Sequence, residues 1–109
     1  MPPTLSDSLS ETLHAFLAAR AVEERNKELA RALVAAGNRG EPNQLTRHWA
    51  RPGVRLDCES LLADGDRVTL RLTAVLEDAA WSLAGELRFD AAGRIVEYHD
   101  VLASAQPPR

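Results

Sequence analysis

The chain has 109 residues, 45% apolar and 27% charged, with a formal net charge of −3. That length and balance fit one globular domain with a real but modest core, and an acidic balance argues against nucleic acid, which selects for basic patches. The single cysteine, Cys58, excludes an intrachain disulfide and suits a reducing cytoplasm.

The opening residues carry neither the basic start nor the apolar stretch of a signal peptide. No run approaches the ~20 apolar residues of a membrane helix. A cytoplasmic protein without membrane contact is expected. Arginine far outnumbers lysine and alanine is abundant, which suggests a bacterial coding sequence.

In chain order, residues 1–7 have two prolines and no apolar pattern, and should be frayed. Ser8 and Glu11 fit a capping box. Leu9, Leu13, Phe16 and Leu17 then recur at helical spacing, and the signal continues through Val22, Leu29, Leu33 and Val34. Because Glu24 to Glu28 is strongly polar, two helices meeting near Ala21–Arg25 are expected. Gly37 is a candidate left-handed C-cap. Pro42 suits the start of a short helix with Leu45, His48 and Trp49 inward, closed by Pro52-Gly53.

The periodicity then changes to two. Val54 to Leu62 reads as a strand with Val54, Leu56 and Cys58 on one side. Asp64-Gly65 is a hairpin signal. Val68, Leu70, Leu72, Ala74 and Leu76 share one face of the next run, and Trp81, Leu83, Leu87 and Phe89 one face of the third. The fourth puts Val96, Tyr98, Asp100 and Leu102 opposite Ile95, Glu97, His99 and Val101. Asp78-Ala79-Ala80 and Asp90 to Gly93 have hairpin length. The tail from Ser104 has no pattern. Helices followed by a run of strands predict an α+β fold: N-terminal helices on one face of a curled antiparallel four-stranded sheet, as one domain over 8–103.

Several segments carry a family likeness. Asn26-Lys27-Glu28-Leu29-Ala30-Arg31 running to Asn38-Arg39-Gly40-Glu41, then Glu59 to Val68, Leu87-Arg88-Phe89, and Gly93 to Val101 resemble the SnoaL-like, polyketide cyclase-like family of the nuclear-transport-factor-2-like superfamily. The likeness covers roughly three quarters of the chain and is most specific in its last motif. It implies a cone-shaped α+β fold that binds an apolar small molecule, with no cofactor or metal. At the position matching Asp100, cyclases of this type carry a pocket carboxylate used as acid or base. Two wall segments are shortened: Trp49 to Gly53 leads almost directly into the first strand, and the next loop is cut to Glu77 to Ala80. The segment from Leu9 to Ala19 could supply a replacement helix, within the subunit or from a partner.

Each candidate has a plainer reading beside the chemical one. Asp100 is the candidate catalytic group, since burial among apolar neighbours would raise its pKa as an acid–base role requires; otherwise it is a structural carboxylate. Tyr98 could donate to a bound carbonyl or simply fill the core. Arg71 could clamp a carboxylate or pair with Glu86 or Glu97. Trp49 and Trp81 could line the ligand cavity or belong to the core. His99, adjacent to Asp100, should point to the opposite face. Cys58 is most simply a small core residue. His14, His48 and His99 fit no metal-ligand spacing, and no glycine loop links a strand to a helix as phosphate sites require. Two functions remain open: a cofactor-free cyclase or isomerase working by proton abstraction next to a carbonyl, or a non-catalytic module that binds a ligand or pairs as a homodimer through the outer sheet face.

Overall fold

A computed structural model of the chain describes the backbone of residues 5–41, 43 and 53–106, and the side chains among them other than 5–6 and 100–106. The N-terminal region is one continuous helix, α1 (Leu5–Asn38), not two. The polar stretch that suggested a junction contains neither glycine nor proline, and Ala, Glu, Arg and Lys are good helix formers. Lys27 and Glu24 pair at 2.8 Å one turn apart, and Arg31 pairs with Glu28 in the same way. Glu24 and Glu28 face solvent, while Arg25 and Lys27 are half-buried and Asn26 is buried. Helix formation reaches back to Leu5, so Ser8 lies inside the first turns, where its carbonyl accepts from Thr12 Oγ1 at 2.9 Å.

The left-handed cap falls three residues later than Gly37. Gly40 takes that conformation, with φ of 82°. Its N–H donates to Gly37 O, and Glu41 N–H donates to Ala36 O at 2.9 Å. This nested pair satisfies carbonyls that the last turn leaves open. Gly37 itself is a buried residue of the helix. The short helix expected after Pro42, with Leu45, His48 and Trp49, lies outside the described residues.

Four strands follow as an antiparallel meander in sequential order: β1 (Arg55–Asp64), β2 (Arg67–Leu76), β3 (Ala79–Phe89) and β4 (Ile95–Gln106). The α+β expectation is met: one helix lies on an open four-stranded sheet. The second turn is tighter than expected, Glu77-Asp78, with Glu77 at φ 54°. β4 continues through residues expected to be a loose tail. The inward faces of β2 and β3 follow the alternation: Val68, Leu70, Leu72 and Ala74 are buried, as are Leu83, Leu87 and Phe89. Ala30 and Val34 of α1 complete this core, with Leu56 of β1.

Three irregularities alter what faces where, one in β1 and two in β4. In β1 the pairing slips between Cys58 and Ser60, a bulge at Glu59. Cys58 pairs with the buried Leu72 but stands at the open edge and is exposed, not a core residue. In β4 the pairing slips at Val96, because Phe89 faces Ile95 while Arg88 faces Glu97. A bulge inverts the parity of every residue after it in the strand. Ile95 and Tyr98 therefore both pack on the core, while Val96 is 45% exposed. Strict alternation had put Ile95 outward and Val96 beside Tyr98.

Two polar ties fix α1 to the sheet. Asn38 Nδ2 donates to Leu56 O and its Oδ1 accepts from Leu56 N–H, both at 2.7 Å. These Leu56 groups face away from β2, on the free side of an edge strand. At the other end of the sheet, Arg25 donates to Ala91 O and Asp90 O in the β3–β4 turn and to Asn26 Oδ1. The molecule is long, 67 × 27 × 19 Å, because the first half of α1 projects beyond the sheet.

Candidate ligand site

The Arg25 tie draws the β3–β4 turn toward the helix. Gly93 makes the close approach possible: its φ is 82°, and a Cβ there would sit 3.0 Å from Leu29 Cδ1. Beside this contact the helix and hairpin separate and leave a hollow of about 610 Å³. Leu29, Ala32, Leu33 and Ala36 line it from α1, and Phe89, Gly93 and Ile95 from the hairpin. Among the described residues, two guanidinium groups stand at its wall, each already paired: Arg39 with Glu41 at 3.1 Å, and Arg94 with Asp90 at 2.9 Å. The hollow is open on one side, and its size and apolar lining suit the docking of a small apolar molecule.

The Asp90 carboxyl is held below its ordinary value, chiefly by the Arg94 backbone N–H and then by the Arg94 side chain and the Ala92 N–H. Those bonds set the hairpin that forms one wall. A few residues along α1, Asn26 is 1% exposed and is the buried polar side chain among the described residues. Its oxygen is occupied by Arg25, and its Nδ2 has no hydrogen-bond partner. A buried amide donor left open costs about 1–3 kcal/mol, so Asn26 joins the residues of interest.

The described site residues divide between the two faces of the sheet. Tyr98 is half-buried on the inward face, opposite Leu87, and Trp81 packs against the same core opposite Ala74. Arg71 is exposed on the outward face, in a shallow polar depression with Glu59, Thr73 and Ser82, where Thr73 Oγ1 donates to Glu59 at 3.0 Å. The sheet separates Arg71 from Tyr98, so one ligand cannot touch both from a single cavity. Trp49 lies outside the described residues, as does the side chain of Asp100.

The Asp100 backbone pairs with Gly85, and Val101 is an extra residue beside it, a second bulge in β4. Gly85 is four residues from Phe89 along β3, which at about 3.4 Å per residue places Asp100 about 14 Å from the hollow. Leu87, fully buried, stands between them. His99 is exposed and its Nε2 is 3.4 Å from Glu97 Oε2. Glu97 is held below the usual carboxylate range, first by Arg88 and then by His99. Among the described residues, no three His, Cys, Asp or Glu side chains gather as a metal site would need.

Sequence reasoning missed the hollow because its lining is scattered over α1 and the hairpin. Leu29 and Leu33 were legible as an inward stripe, but their role as a wall depends on where the hairpin ends. Asn26 carried a usable signal: it precedes Ala30 and Val34 at helical spacing on the core seam.

No family model matches the chain, and no curated protein matches it. Among solved structures it is similar to AclR of Streptomyces galilaeus, a protein provisionally named a hydroxylase. The two are 24% identical, with a TM-score of 0.64 over 78% of this chain and 82% of that one. The likeness establishes a shared fold: a helix laid across an open antiparallel sheet.

Proposed function

We propose that the chain is a small-molecule-binding protein of the SnoaL-like type, which takes an apolar ligand into the hollow between α1 and the β3–β4 hairpin. The apolar lining of that hollow carries the reading. Binding is favoured over catalysis because the buried Leu87 lies between the hollow and Asp100. The fold shared with AclR fits a protein that handles small molecules.

A second reading keeps Asp100 as the base that removes a proton next to a carbonyl, as in aldol cyclisation or double-bond isomerisation. It is favoured by the bulge beside Asp100 and by the glycine opposite, which takes a side chain away from that stretch of the face. Homodimerisation through the outer sheet face remains part of the non-catalytic alternative.

One pair of variants tests the two. Ala32 is exposed but lines the hollow, so Ala32→Trp fills it with little demand on the core. Titration with a fluorescent polycyclic ketone should show binding to the wild type and at least a tenfold loss in Ala32→Trp. Equal affinity in both removes the hollow as the site. Asp100→Asn should bind as the wild type does; loss of a measurable turnover in that variant, with binding kept, would establish the second reading instead.

A further inference from the structure

Residues 7–22 of α1 are exposed throughout, and their apolar members form a stripe. Leu9 is 62% exposed, Leu13 55%, Phe16 58% and Leu17 51%. A segment about 24 Å long thus forms helix with none of the described residues packed on it. Helices of that length are marginal alone and normally draw stability from a covered apolar face.

The stripe is in register with the core. Leu9, Leu13 and Phe16 precede the buried Ala30, Val34 and Gly37 by three heptads each. A straight helix drifts about 20° per heptad, so about 60° over three. The stripe therefore faces the same side of α1 as the core seam, but beyond the sheet, where no described residue of this subunit covers it. We propose that the stripe is covered by the same stripe of a second copy, the two projecting half-helices packing antiparallel.

Charge fixes the direction. The next seam positions are Arg20 and Glu23. A parallel pair would set arginine on arginine and glutamate on glutamate, which is unfavourable at close range. The antiparallel pair sets leucine and phenylalanine against one another at the centre. It brings Arg20 near Asp7 of the partner subunit and Glu23 toward the positive end of the partner helix. Two rods about 24 Å long and about 10 Å wide meet over less than the roughly 800 Å² per partner of a standard interface. So small a contact belongs with weak, reversible associations, and dissociation in the micromolar range is the expected outcome. This contact is separate from the outer sheet face and from the hollow.

The test is sedimentation equilibrium of the full chain up to about 100 µM. The wild type should pass from monomer to dimer in the micromolar range, and Leu13→Glu and Phe16→Glu should each raise Kd at least roughly tenfold. Both positions are exposed in the subunit, so circular dichroism of the monomer should keep its folded signal. Orientation is read in a Cys58→Ser background: Leu9→Cys mixed with Phe16→Cys should cross-link, and Leu9→Cys alone should not. A strict monomer at every concentration, a dimer indifferent to Leu13→Glu and Phe16→Glu, or self-cross-linking of Leu9→Cys would each overturn the proposal.

Discussion

Removing the Asn38 amide should loosen the join between α1 and the edge of the sheet. Asn38→Ala deletes two hydrogen bonds to Leu56, each at 2.7 Å. At about 1 kcal/mol per bond the gross loss is about 2 kcal/mol. Two effects reduce it. Alanine is a better helix former than asparagine by several tenths of a kcal/mol, and the freed Leu56 groups lie on an edge where water can reach them. The net expected loss is about 1 kcal/mol, which lowers a urea midpoint by roughly 0.5–1 M at the usual slope for small domains. Asn38→Asp separates the two bonds. The carboxylate still accepts from Leu56 N–H but turns a second oxygen toward Leu56 O. The folded state should then favour the protonated acid, whose O–H can donate, so the folded pKa lies above the unfolded one. The variant should approach wild-type stability below about pH 4 and fall behind as pH rises through the raised value. Equilibrium urea unfolding over a pH series reads both. An Asn38→Ala midpoint equal to that of the wild type would refute the reasoning, because it would mean water serves Leu56 as well as the amide does.

Gly93→Ala should destabilise by about 1–2 kcal/mol, from the left-handed backbone alone, with Leu29 also forced to yield; an unchanged thermal midpoint would contradict it. Asp90 contributes to pH dependence with the opposite sign to Asn38→Asp. Its folded pKa is depressed by Arg94 and Ala92, so its contribution is complete above the ordinary value of 3.8 and is lost as pH falls through the lower folded value. Asp90→Asn should therefore flatten the acid limb of a stability–pH curve, and an acid limb as steep as the wild type's would count against the assignment.

The sheet was readable from residue parity wherever the strands are regular. Val68 through Ala74 and Leu83 through Phe89 alternate in sequence and in space. Parity also separated Arg71 from the inward residues correctly. It failed at Val96 and Glu59, since a bulge leaves no mark in composition, and one extra residue reverses every later assignment. The continuity of α1 is hard to read because its polar stretch looks like a break, whereas Glu24 and Glu28 face solvent and Arg25 of the same stretch ties the helix to the β3–β4 turn. The ties of Asn38 to Leu56 and of Arg25 to the β3–β4 turn join residues far apart in the chain, and no local pattern announces them. The hollow is illegible for the same reason.

The Asn38 tie also bears on how the chain behaves when crowded. An edge strand with free backbone groups is a template on which another molecule's strand can grow, and repeated growth of that kind makes fibres. Asn38 occupies that template at Leu56, and the bulge at Glu59 puts the remaining stretch out of step with any straight incoming strand. One asparagine at the end of a helix thus stands in the way of strand growth at the Leu56 end of this edge, in addition to anchoring the helix within its own subunit.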